Sequence, residues 1–314
     1  MRFLFFISFL ILLTFNTAAQ NNFYKSELGF KSENDAYLGT KQDRYYTNGL
    51  FISFKQAFEN KRDTSTKKIW SVSLGQEMYN AFSGQVTAIE NIDRPFTAYL
   101  YLGGSLQWLK KNENSVKIET QIGTIGPDAQ GEELQTFLHE TVGFYPISGW
   151  QFQLNNEIGF NAVANFHYFL TRNKSKNLDL SLPIKANLGN TYSGLNVGIL
   201  VRTGSLNPFY HSVATQSNVA TKQQQNLKPQ EFYFYLKPSL NFVAYNATIQ
   251  GGLFRDDKGP VSFNPKRFVL AQDIGIAYAK NRWTANFTVV FKTKEIENLR
   301  KSEQYGSLDL YYRF

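Results

Sequence analysis

Apolar and polar residues alternate with a period of two through most of this chain. Clear runs are Thr47–Phe58, Trp70–Tyr79, Phe96–Lys110, Ser115–Gly123, Gly159–Thr171, Leu178–Leu188 and Gly194–Arg202. Further runs are Glu231–Tyr245, Ala247–Arg255, Phe268–Lys280, Trp283–Thr293 and Ser307–Phe314, and another strand is expected near Tyr24–Ser32. The last run shows the pattern most plainly. Leu308, Leu310, Tyr312 and Phe314 fall on one face, while Asp309, Tyr311 and Arg313 fall on the other. Such a period marks strands that separate lipid from a polar interior. The pattern therefore predicts an all-β protein, an antiparallel transmembrane β-barrel. A bacterial barrel with both ends in the periplasm needs an even strand number, so about twelve strands are expected and one of the thirteen segments is not a strand.

The connections sort by length. Lys280-Asn281-Arg282-Trp283 and Tyr245-Asn246-Ala247 read as tight hairpin turns. Glu33–Tyr46, Asn80–Pro95 and Thr124–Ile158 are too long for periplasmic turns and belong at the outer surface. Gln216–Gln230, with Thr221-Lys222-Gln223-Gln224-Gln225, is a polar loop. Within Thr124–Ile158, Gly126-Pro127 ends a strand. Glu132–Val142 then has helix-forming content, with Leu134, Phe137 and Leu138 on one face. Short helices in an outer loop are thus expected on the barrel.

At the start, Arg2, the apolar run Leu4–Phe15 and the small residues Thr17-Ala18-Ala19 have the form of a secretory signal peptide, residues 1–19, cut near Ala19/Gln20. Residues 20–314 then form a single barrel without internal repeat or linker. No later apolar run approaches the ~20 residues of a helical span. Composition agrees: mean hydropathy is −0.35 despite 16% aromatic residues, a mixture that arises when half the strand positions meet lipid and half meet water. The terminal Phe314 resembles the closing residue of bacterial outer-membrane barrels, which puts the chain in the outer membrane. The absence of cysteine suits an exported protein without disulfides. A formal charge of +8 in an exported chain points to an anionic lipid surface rather than nucleic acid.

Three stretches carry candidate chemistry. Glu33-Asn34-Asp35, with Asp43-Arg44-Tyr45-Tyr46-Thr47-Asn48-Gly49, groups oxygen donors that suit Ca²⁺; a polar turn in which Asn and Asp bond their own backbone would look the same. Asp93-Arg94-Pro95-Phe96 reads as a solvated ion pair before a strand. His139 rides on the predicted helix, either as a general base or as a surface histidine of a plug or lid. His167 lies among aromatics in a strand and reads as an interface or lumen filler, and His211 is a loop residue. No Gly-x-Ser-x-Gly, Cys, His-Glu-x-x-His or phosphate-cradling loop occurs. Nucleophile-elbow, thiol, zinc-protease and nucleotide chemistry lack support.

Together, Glu33-Asn34-Asp35, Tyr46-Thr47-Asn48-Gly49, Asp93-Arg94-Pro95-Phe96, Gly126-Pro127-Asp128, Gln135-x-x-x-His139 and Trp150-x-x-Gln153 resemble the lipid A 3′-O-deacylase family of outer-membrane barrels, over nearly the whole mature chain. The resemblance implies a Ca²⁺-dependent esterase acting on lipid A in lipopolysaccharide. It implies His139, Asn34 and Thr47 as catalytic residues and Asp35 as a metal ligand. In that reading His139 takes a proton from water, Asn34 donates to the oxyanion, and Thr47 fixes a ligand or the water. The stretch Phe82–Thr87 lacks the Lys-Arg pair that family members can carry for a phosphate, which leaves either Arg94, Arg44 or Lys41 for that contact or a substrate with fewer phosphates. Ile147 stands where a tyrosine can occur. A monomer is expected. The rival readings are an outer-membrane phospholipase, often with a serine beside the histidine, and a non-enzymatic porin or adhesin.

Overall fold

The computed structural model describes residues 23–39, 43–59, 66–222 and 226–314; the expected signal peptide 1–19, Lys41 and Gln223–Gln225 lie outside them. Among the described residues, twelve antiparallel strands close into a barrel. They are β1 (Ser26–Asn34), β2 (Tyr46–Phe58), β3 (Thr66–Tyr79), β4 (Thr97–Lys110), β5 (Ser115–Ile125), β6 (Glu157–Arg172) and β7 (Leu178–Gly189). Then come β8 (Tyr192–Gly198 and Leu200–Ser205), β9 (Gln230–Asn246), β10 (Phe268–Lys280), β11 (Trp283–Lys292) and β12 (Glu303–Arg313). The two pieces of β8 share both neighbours and form one strand interrupted at Ile199. The amide of Ile199 donates to Pro238 O at 3.0 Å, but Pro238 has no N–H to return.

β12 closes the barrel on β1, with Glu27 opposite Arg313 and Asn34 opposite Gly306. Ser26 and Phe314 exchange both backbone hydrogen bonds, at 3.0 and 2.9 Å. Along β12 the alternation holds: Leu308 and Leu310 face outward, while Asp309, Tyr311 and Arg313 are buried. Lipid-facing leucine needs no partner, whereas the buried charges are matched inside, as Lys55 is with Glu27 at 3.0 Å.

The segment that is not a strand is Ala247–Arg255. Asn246 does not form a tight turn either. Its Oδ1 accepts from Thr248 N at 3.0 Å and caps a one-turn helix, Ala247–Gln250, that ends at Gly251 (φ 77°). Asparagine's ability to cap overrode the alternation of Ala247-Thr248-Ile249. Asn281-Arg282 does join β10 to β11 tightly, with Asn281 in the left-handed region (φ 50°). At the outer end, a helix α1 (Gly131–Val142) stands between β5 and β6.

The connection between β8 and β9 lies at the periplasmic end and is more than a polar loop. Its described part folds into the lumen. Lys67 Nζ donates to Tyr210 O (2.7 Å) and Ser217 O, and Gln107 Nε2 donates to Thr215 O (2.9 Å). Arg202, fully buried, ties it down through Ser212 Oγ (2.6 Å), Asp179 (2.7 Å) and Glu231 (3.2 Å), with its guanidinium 3.7 Å from the Phe209 ring centroid. His167 packs on the same ring at 4.2 Å, as a lumen filler.

Candidate active site

Where β1 leaves the membrane, Asn34 keeps extended backbone and its Oδ1 accepts from Ala36 N at 2.7 Å. It thereby caps a 3-10 turn, Asp35–Leu38, which Gly39 ends at φ 73°. The turn drives Asp35 inward, where its Oδ2 accepts from Arg44 N at 2.8 Å. Burial, followed by the nearby Asp43 carboxylate, pushes the Asp35 carboxyl up to about 8. Thr47, at the start of β2 and 1% exposed, donates from Oγ1 to Asp43 Oδ1 at 3.0 Å.

Helix α1 supplies the histidine. Gln135 and His139 stand one turn apart and both point inward. Gln135 Oε1 accepts from Trp150 Nε1 (2.9 Å) and Asn80 Nδ2 (3.3 Å), which fixes the helix's rotation. Gly131 starts it flush against Trp150: a Cβ there would lie 2.5 Å from the indole. Leu134 and Leu138 pack on the cluster of Met78, Val86, Phe96 and Trp150. Phe137, expected on that face, is instead 61% exposed. The helix ends at Gly143 (φ 77°), and the amides of Gly143 and Phe144 both return to His139 O at 2.9 Å.

That reversal brings Tyr145 back over the imidazole. His139 Nδ1 lies 2.8 Å from Tyr145 O, and Nε2 lies 2.8 Å from Asp43 Oδ2. Tyr145 OH donates to the same Oδ2 at 2.7 Å and accepts from Asp43 N at 3.0 Å. Burial, with Asp43 beside it, raises the Tyr145 phenol above its ordinary value, so it stays a donor. A carbonyl only accepts, so Nδ1 carries a hydrogen. Nε2 then faces a carboxylate oxygen, which requires one more proton between them.

The structure thus gathers His139 and Thr47 on one carboxylate, Asp43, with Asp35 and its capping Asn34 alongside. Asp43 lay inside the flagged acidic stretch, four residues before Thr47, but its pairing with His139 was not legible. Tyr145 lay beyond the helix and carried no periodic signal. Arg44 is half-buried, with its guanidinium 5.8 Å from the rings of both Tyr45 and Phe82. Arg94 requires correction as a substrate contact. It is fully buried, donating to Thr248 Oγ1 at 3.0 Å, 3.8 Å from Glu295 and 4.0 Å from the Tyr79 ring centroid. It braces the outer loops from within and presents nothing to lipid. Its neighbour Asp93 is also buried, accepting from Tyr45 OH (2.9 Å) and Phe82 N (2.8 Å), so the two are not a solvated pair.

Among the described residues no group of three or more His, Cys, Asp or Glu side chains could hold a metal by itself. The site's carboxylates are Asp35 and Asp43, and Asp43 already serves three donors. Asp35 offers hard carboxylate oxygens, a donor chemistry that fits Ca²⁺ and not a soft metal.

The family profile described as outer membrane protein LpxR matches residues 4–314 of this chain. No curated protein matches it closely enough to count as a relative. Among solved structures, LpxR from Salmonella typhimurium is similar with a TM-score of 0.72 at 20% identity, covering 92% of this chain and 100% of that one. The β domain of the Bordetella autotransporter BrkA is similar at a TM-score of 0.48 and 8% identity, covering 92% of this chain and 99% of the other. At 20% identity the first likeness speaks for a shared fold, and the second is too loose to carry an argument.

Proposed function

Because the chain belongs to the LpxR family of outer-membrane proteins, we propose that it hydrolyses the 3′-linked acyl ester of lipid A in the outer leaflet. The observation that carries this reading is the 2.8 Å contact between His139 Nε2 and Asp43 Oδ2, held at the outer mouth by Tyr145 and Thr47. The bond to Tyr145 O keeps Nδ1 protonated and leaves Nε2 as the working nitrogen. When the proton between them departs, Nε2 and Oδ2 become two facing acceptors that repel and part, which opens room for a water donating one hydrogen to each. Nε2 takes the proton as the water oxygen attacks the ester carbonyl. Collapse of the tetrahedral species breaks the ester C–O bond, releasing the fatty acid, and the sugar oxygen leaves as a hydroxyl with the proton from Nε2. Asn34 has its carbonyl oxygen committed to the cap, so the group it offers an oxyanion is the Nδ2 amide. Thr47 acts as a positioning residue through Asp43. Asp35 would hold Ca²⁺, which when bound supplies Lewis-acid polarisation of the carbonyl.

A serine-based phospholipase is less well supported: among the described residues no serine hydroxyl bonds to His139, whose ring partners are Asp43 and Tyr145. A porin sits poorly with a lumen filled from the periplasmic side. The test is lipid A profiling of a lipid A-bearing host expressing wild type or His139→Ala, with and without a calcium chelator. Loss of the 3′ acyloxyacyl group is expected with wild type in calcium alone. Equal profiles in every condition would overturn the reading.

A further inference from the structure

Three cations meet around one aromatic ring at the outer mouth. The guanidinium carbons of Arg44 and Arg300 lie 5.8 and 5.2 Å from the Phe82 ring centroid, and Lys301 Nζ lies 5.9 Å from it. They come from separate connections: Arg44 from β1–β2, Phe82 from β3–β4, Arg300 and Lys301 from β11–β12. Arg300 and Lys301 are exposed and Arg44 half so, and among the described residues no salt bridge joins any of them to a carboxylate.

A buried frame keeps them together. Asp93 Oδ1 accepts from Phe82 N (2.8 Å), and its Oδ2 accepts from Tyr45 OH (2.9 Å) and Arg300 N (3.2 Å). Tyr45 OH in turn accepts from Arg300 N (2.9 Å) and Lys301 N (3.2 Å). One carboxylate and one phenol thus pin three outer connections. The Phe82 face attracts each cation, but like charges at fixed positions repel, and only an anion relieves all three at once. The cluster also adjoins the candidate site, since Arg44 N bonds Asp35 and Arg44 follows Asp43 in the chain.

We propose that Arg44, Arg300 and Lys301 form the subsite for a phosphate monoester of the lipid substrate, an assignment that rests on the lipid A reading above. Two planar guanidinium forks and a mobile ammonium suit its doubly charged, three-oxygen head. The backbone positions are already fixed by Asp93 and Tyr45, so little loop ordering is left for binding.

The test measures equilibrium binding of bisphosphorylated and of dephosphorylated lipid A to the His139→Ala protein in detergent. The comparison is with the same protein carrying Arg300→Gln and Lys301→Gln, its folding checked by unheated gel migration. The added substitutions are expected to weaken the bisphosphorylated lipid about tenfold, the scale of one or two exposed charge contacts, and to leave the dephosphorylated lipid unchanged. No change, or equal loss for both lipids, would overturn the proposal. So would thermal stabilisation by inorganic phosphate alone that the added substitutions abolish while lipid binding persists, since that marks a free-phosphate site. Phosphate-dependent binding without deacylation by the wild type would instead sink the activity and leave the subsite standing.

Discussion

Asp43 is the residue whose replacement discriminates best among mechanisms, because three donors converge on it: Thr47 Oγ1 at 3.0 Å, Tyr145 OH at 2.7 Å and His139 Nε2 at 2.8 Å. Asp43→Asn keeps the volume and one acceptor, which Thr47 retains, but puts an NH₂ where Oδ2 stood. Tyr145 OH can turn to accept from it. Hydrogen bonds to charged groups contribute about 1.5–3 kcal/mol each, and partial repair should leave a net loss of about 2 kcal/mol in stability. The catalytic effect should be larger, because Nε2 would now accept from that NH₂ and its lone pair would be occupied. Proton transfer by a positioned base contributes about 10²- to 10⁴-fold, so kcat should fall by that factor, about 3–5 kcal/mol of barrier. Single-turnover release of fatty acid from lipid A in mixed micelles reads the rate, and migration of unheated barrel on gels reads folding. Tyr145→Phe removes two bonds to Asp43, one to its carboxylate and one from its amide, and should cost about 2 kcal/mol, or about thirtyfold in rate where the loss falls on the transition state. Residues that act as a unit are not additive, so the Asp43→Asn, His139→Ala double variant should be no slower than His139→Ala alone. The reasoning is refuted if Asp43→Asn turns over at the wild-type rate while His139→Ala is dead, or if the two losses add in full.

Other consequences follow from the same contacts. The Asp35 carboxyl, pushed up to about 8 from its ordinary 3.8, keeps in the fold a proton that the unfolded chain has released. It therefore opposes folding increasingly as pH rises from 3.8 towards about 8. A cation bound there must displace that proton, so Ca²⁺ affinity should climb about tenfold per pH unit approaching that value; calcium-dependent unfolding midpoints from pH 6 to 9 check this, and a flat profile counts against Asp35 as ligand. Gln135→Leu should cost about 1–3 kcal/mol by leaving Trp150 Nε1 and Asn80 without their acceptor. It should also lower kcat by displacing His139, and Trp150 fluorescence with turnover gives the readout. Arg202→Met removes the cation shared by Asp179 and Glu231 and should destabilise the barrel by about 3–5 kcal/mol, seen as a lower temperature for loss of the fast-migrating gel band. In planar bilayers the wild type should show no steady conductance, and sustained steps would mean the periplasmic connection leaves the lumen.

Much of the architecture was legible because strand alternation reports the medium on each side of the backbone, and lipid and lumen differ sharply. Leu308 and Leu310 had to face out and Asp309 and Arg313 in, whatever their neighbours. Alternation failed at Ala247–Arg255, where a capping Asn outweighed it; on α1 the helical spacing put three apolar residues on one face, but only Leu134 and Leu138 met the core. Arg94 looked like a surface cation because sequence carries no sign of depth within a loop. The polar connection after β8 gave no hint that it folds inward, since what holds it is Arg202, a residue that looks like any other inward strand position.

The chain's own pattern determined a membrane barrel, the face of each strand residue and the loops able to carry chemistry, all of them properties of local spacing. Which side chains meet was left to the tertiary structure. Asp43 and Tyr145 are 102 positions apart, and His139 reaches Asp43 only because the barrel brings β1–β2 and β5–β6 to one rim and Gly143 turns the chain back over the ring. The same closure set Arg300 and Lys301 beside Arg44. Contacts between distant loops depend on how far the intervening strands rotate around the barrel, and no residue type encodes that angle by itself.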